Sequence, residues 1–312
     1  MKKLLYLISI LFFISISCTK LSLNYPGNLF LTGITGSKGT EIVYLNIDSS
    51  VVINTTPIDC YVFSSTVYHP NSDAYGYMNC DTVFILIKPE TGELIKSIKL
   101  PGYISQAVID TKNNILIGLY LIMTYGDDPD TVYIKSGKAG QPIITNYIIR
   151  VSLSTGTILS NSKVDLGEGV YASTYYYNQK EKSYVLYRTD KYLISINPST
   201  GEIVHEQYIG RSLSNSIYVH DNNFLISLSY STETQSYYIT AIDPETGSLI
   251  SNTIIAKEEG YCPNVSGFDH ETNCYITVNS DYEVLFYDIS TGEIKKSYKL
   301  ENPMNDIKFW RR

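Results

Sequence analysis

The chain has 312 residues, a net charge of −7, a pI near 5.2, and 18% charged against 44% hydrophobic residues. Such a length can bury a substantial core, which excludes a small scaffold dependent on disulfides. The acidic balance, with no basic stripe, argues against a nucleic-acid partner.

Met1-Lys2-Lys3 is a basic head. Leu4 to Ile16 is an apolar run broken only by Ser9 and Ser15. A membrane span needs about 20 apolar residues, so this run reads instead as the core of a signal peptide, residues 1–17, with Ser15-Ile16-Ser17 as a small-x-small cleavage pattern. Two outcomes stay open for Cys18. A conventional peptidase would leave it as a thiol. Alternatively, Ser15-Ile16-Ser17-Cys18 resembles a bacterial lipobox, with Ser15 standing where that motif usually has Leu. Lipidation would consume the odd member of five cysteines. This favoured reading makes residues 18–27 a lipidated cysteine and tether, and residues 28–312 one folded domain. It places the protein in the cell envelope as an exported, membrane-anchored lipoprotein, which in a Gram-negative cell means the outer membrane or cell surface.

Strand-like runs rich in Ile, Val, Tyr and Thr then follow to the end of the chain. Three are expected near residues 29–35, 40–47 and 50–55. Further units start near Cys60 and Tyr103. A fourth unit reads as 171–178, 183–188, 191–197 and 201–208. A fifth reads as 215–220, 223–230, 236–243 and 247–256, and a sixth as 263–268, 273–279, 283–288 and 292–299. One strand is left over, Asp306-Ile307-Lys308-Phe309-Trp310.

One phrase recurs between the last two runs of each unit. Lys88-Pro89-Glu90-Thr91-Gly92, Leu153-Ser154-Thr155-Gly156, Asn197-Pro198-Ser199-Thr200-Gly201, Asp243-Pro244-Glu245-Thr246-Gly247 and Asp288-Ile289-Ser290-Thr291-Gly292 are versions of one turn. Asp or Asn bonds nearby backbone, Pro presets φ, and Gly supplies the left-handed residue of a bulged hairpin. The glycines recur every 45 or 46 residues after a first interval of 64. A period of that size with strand-rich units indicates propeller blades. The expected fold is all-β, a β-propeller of six four-stranded blades. The three N-terminal strands and the leftover C-terminal strand form the sixth sheet and close the ring, which removes exposed sheet edges. Seven blades stay open because the third unit is long.

The phrase resembles the repeats of quinoprotein-like and YVTN-type propellers, in which a strand ends in Asp-Pro-x-Thr-Gly-Glu/Lys. The resemblance covers residues 40 to 299. Quinone-dependent members carry a tryptophan shortly after the Thr-Gly. Here Leu94-Ile95-Lys96-Ser97, Ile203-Val204-His205-Glu206 and Ile294-Lys295-Lys296-Ser297 contain none. The resemblance therefore implies a non-catalytic propeller lipoprotein, and no cofactor is expected.

Cys60, Cys80, Cys262 and Cys274 allow three connectivities. Cys60–Cys80 and Cys262–Cys274 would each staple one blade; four buried thiols are the alternative. His69, His220 and His270 fall at first-to-second-strand turns and read as exposed turn residues. Asp127, Asp128 and Asp130 lie in an insertion of the third unit and are weak calcium candidates.

The connections between units share one mouth of the channel, and candidate ligand-binding residues are taken from there: Tyr103, Glu168, Tyr171, Arg211, Glu259, Tyr261 and Asn305. Tyrosine and carboxylate at a mouth suit a sugar or peptide. The functional expectation is a binding or scaffolding module whose partner is an envelope protein, peptide or glycan. The rival is a metal-dependent hydrolase or lactonase acting on an extracellular sugar or lactone, with Glu168, Glu259 and Asn305 as ligands.

Overall fold

The computed structural model describes residues 29–36, 39–46, 51–58, 61–89, 91–124, 143–166, 171–220, 222–255, 261–300 and 308–310. In chain order, the first sheet begins with β1 (Leu29–Gly36), β2 (Gly39–Asn46) and β3 (Val51–Ile58). The second holds β4 (Tyr61–His69), β5 (Ala74–Asn79), β6 (Val83–Ile87) and β7 (Leu94–Lys99). The third holds β8 (Ser105–Asp110), β9 (Ile115–Thr124), β10 (Ile143–Ser152) and β11 (Ile158–Val164). The fourth holds β12 (Tyr171–Asn178), β13 (Ser183–Arg188), β14 (Tyr192–Ile196) and β15 (Ile203–Tyr208). The fifth holds β16 (Ser214–Val219), β17 (Phe224–Ser231), β18 (Ser236–Ile242) and β19 (Leu249–Ile255). The sixth holds β20 (Tyr261–Asp269), β21 (Cys274–Asn279), β22 (Glu283–Asp288) and β23 (Ile294–Lys299).

The last strand, β24 (Lys308–Trp310), pairs antiparallel with β1 and completes the first sheet in the order β24-β1-β2-β3. The described strands thus group into six four-stranded antiparallel sheets. The inner strands β4, β8, β12, β16, β20 and β24 each touch the inner strands of both neighbours. The result is a closed β-propeller. The long third unit lengthens β9 and β10 to 10 residues each and hides no further strand among the described residues.

Each recurrent turn has the expected geometry. Gly92, Gly156, Gly201, Gly247 and Gly292 all have φ between 71° and 79°. Each glycine N–H donates to the carbonyl four residues back, as in Gly201 to Asn197 O at 2.8 Å and Gly292 to Asp288 O at 2.8 Å. The turns also clamp neighbouring blades. A Cβ on Gly201 would sit 2.3 Å from Lys163 O, and one on Gly292 would sit 2.2 Å from Ile254 O. Ser160 and Ser162 of β11 donate to Pro198 O and Ser199 O. Thr253 of β19 donates to Ile289 O at 2.8 Å. Glycine is therefore required twice, for its left-handed φ and for the close approach of the preceding blade's outer strand.

The core lies between sheets. Ile115, Ile117 and Ile148 of the third blade pack with Tyr184, Leu186 and Ile194 of the fourth. Val185 and Leu193 of the fourth pack with Leu225 and Ile242 of the fifth. Middle strands are covered on both faces, and β21 is buried throughout. Such strands lack alternation, as expected of sheets stacked face to face.

The cysteines divide. Cys80 is disulfide-bonded; its expected partner, Cys60, lies outside the described residues. The Cys262–Cys274 pair does not form, because Cys274 is a free, buried thiol. Tyr261 opposes Asn279, whereas Cys274 opposes Asp269. Position 262 thus lies about four residues from Cys274 along the ladder, roughly 13 Å at strand rise. A disulfide tolerates a Cα separation of only about 7 Å.

Candidate functional site

The inner strands run in one direction around the ring, so their N-terminal ends share one face and their C-terminal ends the other. A cavity of about 900 Å³ opens at the C-terminal ends. Its walls come from β4, β8, β12, β16 and β20 and from the turns that follow the first four of these strands. That volume is ample for a small ligand.

The aromatic part of the wall is built by β12 and β16. Tyr176 and Tyr218 stack with ring centroids 4.1 Å apart and planes 15° apart. His220 meets Tyr218 edge-on at 4.7 Å. The Tyr218 hydroxyl donates to Asn223 Oδ1 at 2.6 Å. Asn223 Nδ2 in turn donates to Glu245 Oε1 at 3.0 Å, an oxygen that also pairs with Lys180 at 3.0 Å. This chain of bonds fixes the Tyr218 ring, and Asn223 and Lys180 within it also line the cavity. Burial pushes the Tyr176 phenol above its usual range, helped by Tyr218, Glu245 and Asp243. The hydroxyls of Tyr175 and Tyr176 have no hydrogen-bond partner among the described residues, and both residues line the cavity.

The polar part of the wall is small hydroxyls. Thr66, Ser216 and Ser266 occupy the ladder position that Tyr175 holds in β12. Thr174 donates to Ser216 at 2.7 Å, and Ser216 to Ser227 at 2.9 Å. Among the described residues of the lining, Lys180 alone carries a full charge at neutral pH.

On one side the cavity adjoins a crevice of about 580 Å³ between the third and fourth blades. Tyr177 lines both. Beneath it, Asp110 is 2% exposed. Its carboxylate accepts from the Asn113 backbone at 3.2 Å and from Asn113 Nδ2 at 2.7 Å. In the amide orientation that satisfies both of its polar atoms, Gln179 also donates to Asp110 at 3.1 Å and accepts from Thr111 N–H at 3.2 Å. Burial, then the charge and hydrogen bond of Asp110, push the Tyr177 phenol up to about 12.

The sequence-based candidates lie elsewhere. Tyr103 is half exposed, and its hydroxyl donates to Cys80 O. Tyr261 packs edge-on against Tyr237 at 5.0 Å and bonds the Tyr287 hydroxyl at 3.2 Å. Arg211 offers its carbonyl to the Tyr187 hydroxyl at 2.7 Å. Tyr171 stands at the start of β12, opposite Arg188. None of the four lines the cavity, because they sit at the N-terminal ends of the inner strands, on the other face. Glu168, Glu259 and Asn305 lie outside the described residues, as do Asp127, Asp128, Asp130 and Cys18.

Of the histidines, His220 and His270 are exposed after their inner strands. His69 corrects the expectation of an exposed turn residue. It is 3% exposed. Its Nδ1 accepts from Ser72 N–H at 3.2 Å, so Nε2 carries the proton donated to Asn114 Oδ1 at 2.7 Å. It ties the second blade to the third. Among the described residues no three His, Cys, Asp or Glu side chains converge as a metal site, and no helix is long and apolar enough to cross a membrane.

No protein-family model matches the chain, and no curated protein does. A solved structure of a protein of unknown function from Bacteroides caccae is similar to it, with 13% identity, a TM-score of 0.58, and coverage of 92% of this chain and 100% of that one. The dihydro-heme d1 dehydrogenase NirN, solved in complex with DHE, has 11% identity and a TM-score of 0.48, covering 88% of this chain and 65% of that one. At such identities the likeness to the Bacteroides protein is one of fold.

Proposed function

We propose that this propeller is a non-catalytic binding module of the bacterial cell envelope whose ligand seat is the tyrosine-walled cavity at the C-terminal ends of the inner strands. The carrying observation is the wall itself. It combines the stacked Tyr176–Tyr218 pair with the phenols of Tyr175 and Tyr176, unpartnered among the described residues, and a band of small hydroxyls. Aromatic faces beside hydrogen-bonding hydroxyls suit a hydroxylated ring such as a saccharide. Among the described residues the lining contains no carboxylate, which disfavours a cationic ligand. The ring supplies rigidity, since every blade is packed between two others, and a preorganised seat loses little entropy on binding.

The same reading attaches the protein to a membrane through a lipidated Cys18 and closes the blade containing Cys80 with Cys60. Support for the anchor is the apolar run before Ser15-Ile16-Ser17-Cys18.

The test of the seat is a thermal-shift screen against a saccharide panel, run on the wild type and on Tyr218→Ala. A ligand that binds only the folded state raises the melting temperature by mass action. A saccharide that shifts the wild type and not the variant supports the reading. A loss of stability in EDTA, restored by one divalent metal, would favour the metal-dependent enzyme instead. Cys18→Ser should release the protein from the detergent phase of a Triton X-114 partition.

A further inference from the structure

We propose that Arg150, with Lys182, forms an anion subsite that extends the cavity into the crevice between the third and fourth blades, and that the ligand is an acidic saccharide whose carboxylate meets the Arg150 guanidinium. This rests on the cavity being the ligand seat.

Arg150 stands immediately before the bulge where the third strand of its blade meets the fourth. The same register shift occurs in all six sheets. The residues at that place in the other five are Tyr44, Leu86, Ser195, Ala241 and Phe286. One blade in six carries a charge there. Packing of the fold does not call for an arginine, since Leu86, Ala241 and Phe286 fill the position as core.

Among the described residues the charge has no counter-ion. Arg150 Nη1 donates to Ser199 Oγ at 2.7 Å, and no carboxylate lies within 4.0 Å of it among the described residues. Arg188 shows the contrast: it pairs with Asp190 at 2.8 Å and with Glu206 at 3.3 Å. Two carboxylates do line the crevice, but each is engaged elsewhere. Asp110 is bonded to Asn113, Gln179 and Tyr177. Glu181 is exposed and sits 3.9 Å from Lys180. A part-buried guanidinium whose remaining N–H groups meet no acceptor among the described residues is a fork for a carboxylate. Lys182, on the same crevice wall, adds a second positive charge.

Continuity with the cavity sets the ligand class. Tyr177 is common to both, and the turn at 179–182 gives Gln179 and Lys180 to one and Glu181 and Lys182 to the other. The body of the ligand faces tyrosine and hydroxyls, while its charged group faces Arg150. A sugar ring bearing a carboxylate meets both demands.

Isothermal titration with trigalacturonate and with its fully methyl-esterified form tests this, because the two differ in charge and little in shape. The wild type should bind the acid at least 10-fold more tightly, with the preference falling at high salt. Arg150→Gln should abolish the preference and leave the affinity for the ester unchanged, and Arg150→Lys should restore part of it. Ser199→Ala removes the one bond Arg150 makes and should keep the preference within about twofold, which separates loss of charge from loss of fold. Equal wild-type affinities for acid and ester, both weakened by Tyr218→Ala, would overturn the subsite and leave the cavity as the seat. An acid preference that survives Arg150→Gln would overturn the subsite as well. Binding of neither form would overturn the subsite and remove support for the saccharide seat.

Discussion

The phenol of Tyr184 donates to the backbone carbonyl of Gln106 at 2.8 Å, across the boundary between the fourth and third blades. Tyr275 makes the same bond to Asn215 O at 2.5 Å, from the sixth blade to the fifth. Gln106 and Asn215 hold φ of 54° and 48°, at matching irregularities of β8 and β16. The matching residues of β9 and β17 are Leu116 and Leu225. Tyrosine and leucine thus alternate from the second blade to the sixth, with Tyr75 at the same position of the second. The phenols of Tyr184 and Tyr275 each satisfy a carbonyl that the bulge turns away from its own ladder.

Tyr184→Phe should therefore cost about 1–3 kcal/mol, because a buried carbonyl loses its donor while shape is kept. Urea unfolding measures it. A change below a few tenths would mean that water replaces the phenol.

The turn glycines separate two costs. Gly156 has φ 79°, but a Cβ there would meet only Ile98 at 3.7 Å. Gly156→Ala should lose about 1–2 kcal/mol, the left-handed penalty alone. Gly201→Ala meets that penalty and Lys163 O at 2.3 Å, so its midpoint should fall distinctly further. Equal losses would refute the clamping role of the turn.

Acid stability should depend on Asp288. Backbone N–H groups of Ser290 and Thr291 donate to its carboxylate at 2.8 and 3.0 Å and hold its pKa below the usual value, with Lys295 assisting. A carboxyl depressed on folding contributes stability above its unfolded pKa of about 3.9, and loses it as pH falls through the lower folded value. Asn197 accepts from Ser199 N–H at 2.9 Å in the equivalent turn without a charge. Asp288→Asn should keep the bond and flatten the melting curve between about pH 5 and 2 relative to the wild type. An unchanged acid slope would contradict this.

The thiols should label in sequence. Burial raises the Cys274 thiol, and its Sγ–H points to Thr272 O at 3.6 Å. Iodoacetamide should modify Cys274 only after unfolding. Cys80 should resist it even in denaturant until reduced, and should become reactive in Cys60→Ser.

The architecture was legible because its signals are local. Asp-Pro-x-Thr-Gly turns are specified by φ and by side-chain caps within five residues, and the unpaired run ending in Trp310 had no other partner than the N-terminal strands. The cavity proposed as the ligand seat was not legible. Gly-Tyr connections looked like a lined mouth, but Tyr261 is used in packing against Tyr237 and Tyr287, and Tyr103 in reaching Cys80. Tyr175-Tyr176-Tyr177 read as one more apolar strand. The available signal was comparative: where β4, β16 and β20 hold Thr66, Ser216 and Ser266, β12 holds Tyr175. Likewise Arg150 stands out only when the six bulges are aligned by register, which requires the ladders themselves.

Hydrogen exchange with and without saturating trigalacturonate tests whether the ligand sits at the C-terminal ends of the inner strands. Slowed exchange in the segments 174–182 and 215–223, with 100–105 and 208–213 unchanged, is the predicted result. Protection confined to 100–105 and 208–213, on the opposite face, would contradict it.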